Sequence, residues 1–261
     1  MKVVVLFSGG LGSWAAARRL ADQDRDLVLL FTDTRTEDED LYRWLIQAAG
    51  NIGAPLHVLA DGRDVWQVFT DENFIGNTRV DICSRILKRD LARKWIEANF
   101  DPSDTEVALG IDFTEIHRYE RAAPRWEPYR LIAPLCESPY PDRAEVESWA
   151  KTAGLRIPRL YEWSAHNNCG GFCVKAGHGQ FAALLANMPE RYAEHEAQEE
   201  AFRERTGKDV AIMRDRRGGV TKPLTMREFR ERSQASPELF DLSDFGGCGC
   251  MVDDEKDEPP I

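Results

Sequence analysis

The stretch that most constrains this chain is Val3-Val4-Val5-Leu6-Phe7-Ser8-Gly9-Gly10-Leu11-Gly12-Ser13-Trp14-Ala15-Ala16-Ala17. Its unbroken apolar run reads as a buried parallel strand, and a glycine loop then opens directly into an alanine-rich helix start. Glycines let backbone N–H groups approach an anion, and the helix dipole adds roughly 0.3–1 kcal/mol of attraction. The loop therefore predicts a cradle for nucleotide phosphate built from Ser8, Gly9, Gly10, Gly12 and Ser13. A Walker-type loop needs a Gly-Lys-Ser/Thr ending, which is missing here. A dinucleotide loop stays open, because Gly10, Gly12 and Ala15 match G-x-G-x-x-A. Asp33, at the end of the next apolar run, stands where a ribose-binding acid belongs.

The rhythm that follows is strand, helix, strand. Leu27–Phe31 reads as a second strand, and Leu41, Trp44, Leu45 and Ala48 recur on one helical face that Gly50 or Gly53 stops. Leu56–Ala60 reads as a third strand, Glu106–Gly110 as a fourth and Leu131–Leu135 as a fifth, and Asp142 caps a helix reaching Ala153. Such alternation predicts an α/β fold with a doubly wound parallel sheet and ligands at the carboxyl ends of its strands. Asp64–Asp71 reads as a short helix, and Cys83 falls in the first turn of a helix that continues to Ile96. A helix start, Arg85 and Lys88 all favour a thiolate, so Cys83 reads as a reactive thiol or a metal ligand, against a small buried hydrophobe. Beyond residue 160 the rhythm fades. The expected organisation is a nucleotide-binding domain over 1–160, a smaller, mostly helical cysteine-rich region over 161–252, and a disordered acidic tail over 253–261.

Composition narrows the function classes. The chain has 261 residues and a net charge of −11, with no apolar run long enough to cross a bilayer, so a soluble protein away from membranes is expected. Its start lacks the pattern of a secretory signal, which makes the cytoplasm the expected compartment and its six cysteines reduced thiols or metal ligands. The negative balance argues against non-specific coating of nucleic acid, although Arg203 to Arg232 holds ten Lys/Arg against five Asp/Glu. Cys169 and Cys173 flank a glycine pair, and Cys248-Gly249-Cys250 forms a second close pair. Together they read as one four-thiolate site tying the C-terminus to the core, with an iron–sulfur cluster favoured over zinc. Cys136 reads as core, and His166 as a satisfied polar side chain.

These residues together resemble the PP-loop (adenine nucleotide alpha-hydrolase-like) superfamily, and within it the phosphoadenosine phosphosulfate (PAPS) reductase-like branch, over residues 3 to 177. Ser8 to Ser13 is similar to the Ser-Gly-Gly-x-Asp-Ser loop, and Phe31-Thr32-Asp33-Thr34 with Glu37 and Glu39 to the branch's Asp-Thr-Gly-rich segment. Cys83 to Lys88 resembles its cysteine-then-lysine helix, and Gly110-Ile111-Asp112 with Glu115 and Arg118 its Gly-x-Arg-x-x-Glu/Gln-x-x-Arg segment. Leu160-Tyr161 through Cys169 and Cys173 resembles its Leu-Tyr ahead of paired cysteines.

The resemblance implies binding of ATP with magnesium or of a related adenylate. It also implies either reduction of an activated sulfate or adenylation of an acceptor followed by replacement of its oxygen with sulfur. Asp33 would then meet the ribose or base, Lys88 and Arg118 would neutralise phosphate, Glu115 would orient them, and the cysteines would hold the cluster. Three departures stand out. Gly12 replaces the loop aspartate, Asp112 replaces the arginine expected after Gly110, and the C-x-C ending lies outside the reductase pattern. The first bears on magnesium handling, the second weakens a sulfate-nucleotide reading, and the third points to a sulfurtransferase acting on a nucleic-acid base or a small acceptor, with a sulfur-donor protein and a homodimer as open partners. The alternatives are sulfonucleotide reduction, a non-catalytic nucleotide-binding module with structural zinc, and, last, a dehydrogenase.

Overall fold

The computed structural model describes residues 1–77 and 80–247, so Cys248, Cys250 and the acidic tail lie outside the described residues. Its centre is a five-stranded parallel sheet in the order β3-β2-β1-β4-β5, built from β1 (Lys2–Leu6), β2 (Asp26–Asp33), β3 (Leu56–Ala60), β4 (Thr105–Ala108) and β5 (Arg130–Ile132). The apolar runs of β1 and β2 are continuous because both faces of the sheet are covered there, whereas the edge strand β3 is largely exposed. Val3, Val5, Leu29 and Phe31 point to one side, and Val4, Leu6, Leu30 and Val107 to the other. The first face packs on α1 (Leu11–Ala21), α2 (Glu39–Ile52) and α7 (Arg143–Thr152), with Trp14 and Trp44 edge-to-face at 6.1 Å. The second packs on α5 (Leu91–Asn99) through Ala92 and Ile96.

Local signals fix the helix ends. Asp64 and Asp142 each close a capping box, at the start of α3 (Val65–Asp71) and of α7. Gly53 ends α2 at φ 78°. The helix carrying Cys83 starts as α4 (Ile82–Ser84), widens into a π-helical turn over Arg85–Asp90 and continues as α5. The fourth and fifth strands are shorter than their apolar runs. β4 gives way to Leu109 and Gly110 in loop, and Pro134 starts a 3-10 turn after β5 because proline offers no amide to the ladder.

After Glu115 comes α6 (Ile116–Ala122). The C-terminal region is largely helical: α8 (His178–Asn187), α9 (Pro189–Thr206) and α10 (Met226–Ala235). It also carries a two-stranded antiparallel hairpin, β6 (Met213–Asp215) with β7 (Lys222–Leu224). Its apolar core is continuous with α3 and α4, since Phe172, Phe181, Tyr192 and Phe229 cluster with Trp66, Phe69 and Cys83. No described helix is long and apolar enough to cross a membrane.

Candidate active site

Strand order turns back between β1 and β4, so the loops after those strands diverge and leave a crevice. Two glycines set how closely they approach. A Cβ on Gly12 would stand 2.5 Å from the Gly110 carbonyl oxygen, and one on Gly110 would stand 2.4 Å from the Ser13 amide nitrogen. The aspartate of the resembled loop would not fit at position 12 without moving backbone. Gly9 takes φ 80° against Leu41, which lets the chain turn from β1 into α1. Within the loop the Ser13 hydroxyl donates to Gly10 O at 2.9 Å, and the Ser8 hydroxyl faces Ser13 Oγ at 3.4 Å.

A cleft of about 390 Å³ opens on this loop. Ser8, Gly10, Gly12 and Ser13 line one wall, and Gly110, Asp112, Glu115 and Arg118 line the other. Arg118 is buried and ion-pairs with Glu115, so two of the expected residues arrive as one unit. The start of α7 and the segment 165–168 complete the rim.

The cysteine loop is tied directly to the glycine loop after β1. Asn167 Nδ2 donates to Gly9 O at 3.1 Å, and the Leu11 amide donates to the Tyr161 hydroxyl at 3.1 Å. Arg143 lies over the Tyr161 ring at 4.9 Å and donates to Ala165 O. Cys169, Gly170 and Gly171 all adopt positive φ, 47°, 61° and 88°, which folds the C-x-x-x-C segment into a tight turn. Two buried or half-buried cations hold it. Lys88 Nζ lies 3.4 Å from Glu37 Oε1 and 4.0 Å from Cys169 Sγ, and Arg191 donates to Gly170 O and Glu37 O. The Lys88 ammonium thus lies between a buried carboxylate and the Cys169 sulfur.

Other expected residues sit elsewhere. Asp33 is occupied by the Arg35 amide at 2.8 Å and the Tyr42 hydroxyl at 2.9 Å, and it is not among the cleft-lining residues. Cys83 is buried in the apolar cluster with Phe172 and Val174. Cys136 is half-buried against Ile111 O, and burial pushes its thiol up to about 11. His166 Nε2 meets Gly246 O at 3.1 Å, and Gly246 bridges to Ala176. The described chain thus returns to the cysteine loop two residues before Cys248. Among the described residues no three His, Cys, Asp or Glu side chains gather as a metal would require, and Cys169 with Cys173 is the described part of the four-thiol set.

Sequence reasoning did not single out Asn167 or Arg191 as site residues. Asn167 stands in a polar pair just before Cys169, which is a usable signal. Arg191 lies on a charged helix 154 residues from Glu37, where nothing local distinguishes it.

No family model and no curated protein matches the sequence. Among solved structures, the chain is similar to phosphoadenylyl-sulfate (PAPS) reductase from Candida auris in a phosphate complex, at 15% identity and TM-score 0.44, covering 61% of this chain and 76% of that one. It is also similar to NH3-dependent NAD synthetase from Campylobacter jejuni in complex with the nitrate ion, at 13% identity and TM-score 0.40, covering 81% and 89%. At such identities and scores the likeness concerns the fold alone. The chain is an α/β protein built on a five-stranded parallel sheet, and its sequence resembles the motifs of the PP-loop superfamily.

Proposed function

We propose that this protein is an ATP-dependent PP-loop enzyme that adenylates an acceptor, a nucleic-acid base or a small molecule, and replaces the activated oxygen with sulfur. One observation supports the reading: Asn167 ties the cysteine loop to Gly9, and Asn167 and Asn168, the residues just before Cys169, line the cleft beside Ser8–Ser13. An acceptor oxygen attacks the α-phosphorus, and pyrophosphate leaves onto the amides and hydroxyls of Ser8–Ser13. Arg118, held by Glu115, faces the charge that develops across the cleft. Hydrosulfide delivered by a sulfur donor then attacks the adenylated carbon, the C–O bond breaks, and AMP departs with the former acceptor oxygen. Magnesium would travel on the phosphates, because the loop itself offers hydroxyls and no carboxylate.

Cys169, Cys173, Cys248 and Cys250 would hold an iron–sulfur cluster, with Cys83 as an expected further thiol. Thiolate ligands suit an electropositive setting, which Lys88 supplies beside Cys169. When bound, the cluster supplies a site that carries sulfur. Anaerobically purified protein is expected to contain iron and acid-labile sulfide, both lost on Cys169→Ser with Cys173→Ser, and to form AMP and pyrophosphate with its acceptor. A colourless zinc protein without ATP binding would contradict the proposal.

The same Lys88–Cys169 contact supports a second reading, sulfonucleotide reduction. A thiolate attacks the sulfate sulfur, the S–O bond to the nucleotide breaks, and a second thiolate releases sulfite as a disulfide forms. Thiol-dependent sulfite release from an adenylyl sulfate separates it from the first.

A further inference from the structure

The rim of the cleft carries an exposed aromatic pair that the activation chemistry leaves unused. Phe113 is 47% exposed and Tyr140 54% exposed, with ring centroids 4.5 Å apart and planes tilted by 46°. Each is adjacent in sequence to cleft-lining residues, Phe113 between Asp112 and Thr114 and Tyr140 before Pro141.

Their backbones are held on both sides. Arg19 of α1 donates to the Glu137 carbonyl at 3.0 Å and the Pro139 carbonyl at 2.8 Å, and also to that of Ser138. Asp112 accepts the Thr114 amide at 2.8 Å and so fixes the turn that carries Phe113. Half-exposed rings on anchored backbone lose little freedom when a planar partner stacks on them.

Charge near the pair is mixed: Arg121 and Arg125 are exposed on the segment that follows Phe113, while Asp112, Glu115, Glu137 and Asp142 flank the rings in sequence. Aromatic faces with arginines alongside are the pattern by which single strands are held, bases on the rings and phosphates on the cations.

We propose that Phe113 and Tyr140 form a stacking platform for a nucleobase of a single-stranded nucleic-acid acceptor, presenting it to the open rim of the cleft. The inference rests on the adenylation reading and narrows its acceptor class. In that reading the cleft holds the nucleotide and the acceptor base lies at its rim, next to the lining residues Asp112, Thr114 and Pro141.

The test is fluorescence anisotropy with a labelled short single-stranded RNA or DNA oligonucleotide, run beside calorimetric ATP titration on the same protein. Phe113→Ala with Tyr140→Ala is expected to weaken oligonucleotide binding about tenfold or more while ATP affinity stays unchanged. Phe113→Trp, which keeps a stacking face, is expected to bind like wild type. ATP binding without any oligonucleotide binding, or equal oligonucleotide affinity in wild type and the double variant, would overturn the platform and leave the ATP reading standing. Loss of ATP binding in the wild type would instead remove both.

Discussion

Asn167 reaches across 158 residues to donate its amide N–H to Gly9 O at 3.1 Å, joining the cysteine loop to the glycine turn between β1 and α1. Asn167→Ala removes that bond and frees both segments. The expected cost is about 1 kcal/mol in stability with a several-fold loss in ATP affinity, read by chemical denaturation and calorimetry. Unchanged ATP affinity would mean that Gly9 holds its geometry without the clamp.

Gly12 and Gly50 make a matched pair for testing the loop. A Cβ at Gly12 would lie 2.5 Å from the Gly110 carbonyl, whereas one at Gly50 meets nothing within 4 Å. Gly12→Ala is expected to destabilise by about 2 kcal/mol and abolish tight ATP binding. Gly50→Ala, in the last turn of α2, is expected to stabilise by about 0.5 kcal/mol. Equal melting temperatures for the two variants would contradict the close contact between the β1 and β4 loops.

Lys88 serves Glu37 and Cys169 together, at 3.4 and 4.0 Å. Lys88→Met leaves the Glu37 carboxylate buried without its ammonium, at a cost of about 3–5 kcal/mol, and takes the positive charge from the Cys169 sulfur. Mass-resolved alkylation of Cys169 is expected to slow relative to Lys88→Arg, which keeps the charge. Equal alkylation in the two variants would contradict an electrostatic role.

Two buried groups give the stability a distinctive pH dependence. Glu199 accepts the Ile212 and Met226 amides at 3.0 and 2.6 Å, and burial raises its carboxyl from 4.5 to about 7. His195 stacks on Phe172 at 3.6 Å and accepts from Trp66, and burial, followed by nearby Arg191, lowers it from 6.5 to about 3. Between pH 4.5 and 7 the native state keeps the Glu199 proton that the unfolded chain loses, so this contribution falls as pH rises. Between about pH 3 and 6.5 the unfolded chain takes up a His195 proton that the native state refuses, so this contribution rises with pH. Each slope approaches about 1.4 kcal/mol per pH unit, and they oppose one another from pH 4.5 to 6.5. Glu199→Gln is expected to unmask the histidine slope in that window, measured by urea denaturation across pH. Parallel stability curves for variant and wild type would contradict it.

The parallel sheet and the glycine turn after β1 were legible because each rests on local chemistry. Val3–Leu6 and Leu27–Phe31 are apolar runs without alternation, and Asp64 and Asp142 cap the helices their side chains announce. The β6–β7 hairpin was not legible, since Met213–Asp215 and Lys222–Leu224 are three-residue strands among arginines with no apolar period. The π-helical turn at Arg85–Asp90 leaves no mark in composition either. At the site, Ser8–Ser13, Glu115 and Arg118 could be read from one segment at a time, whereas the Glu37–Lys88–Arg191 cluster exists only once distant segments pack. Asp33 occupied the expected place in sequence, but its neighbours Arg35 and Tyr42 take its oxygen locally.

The central claim is that nucleotide and thiol loop share one cleft, and amide hydrogen exchange with and without saturating ATP tests it most directly. The account predicts that ATP protects the peptides spanning 8–13 and 165–173 together, because Asn167 and Tyr161 couple them. Protection confined to the phosphate loop, with exchange over 165–173 unchanged, would contradict it.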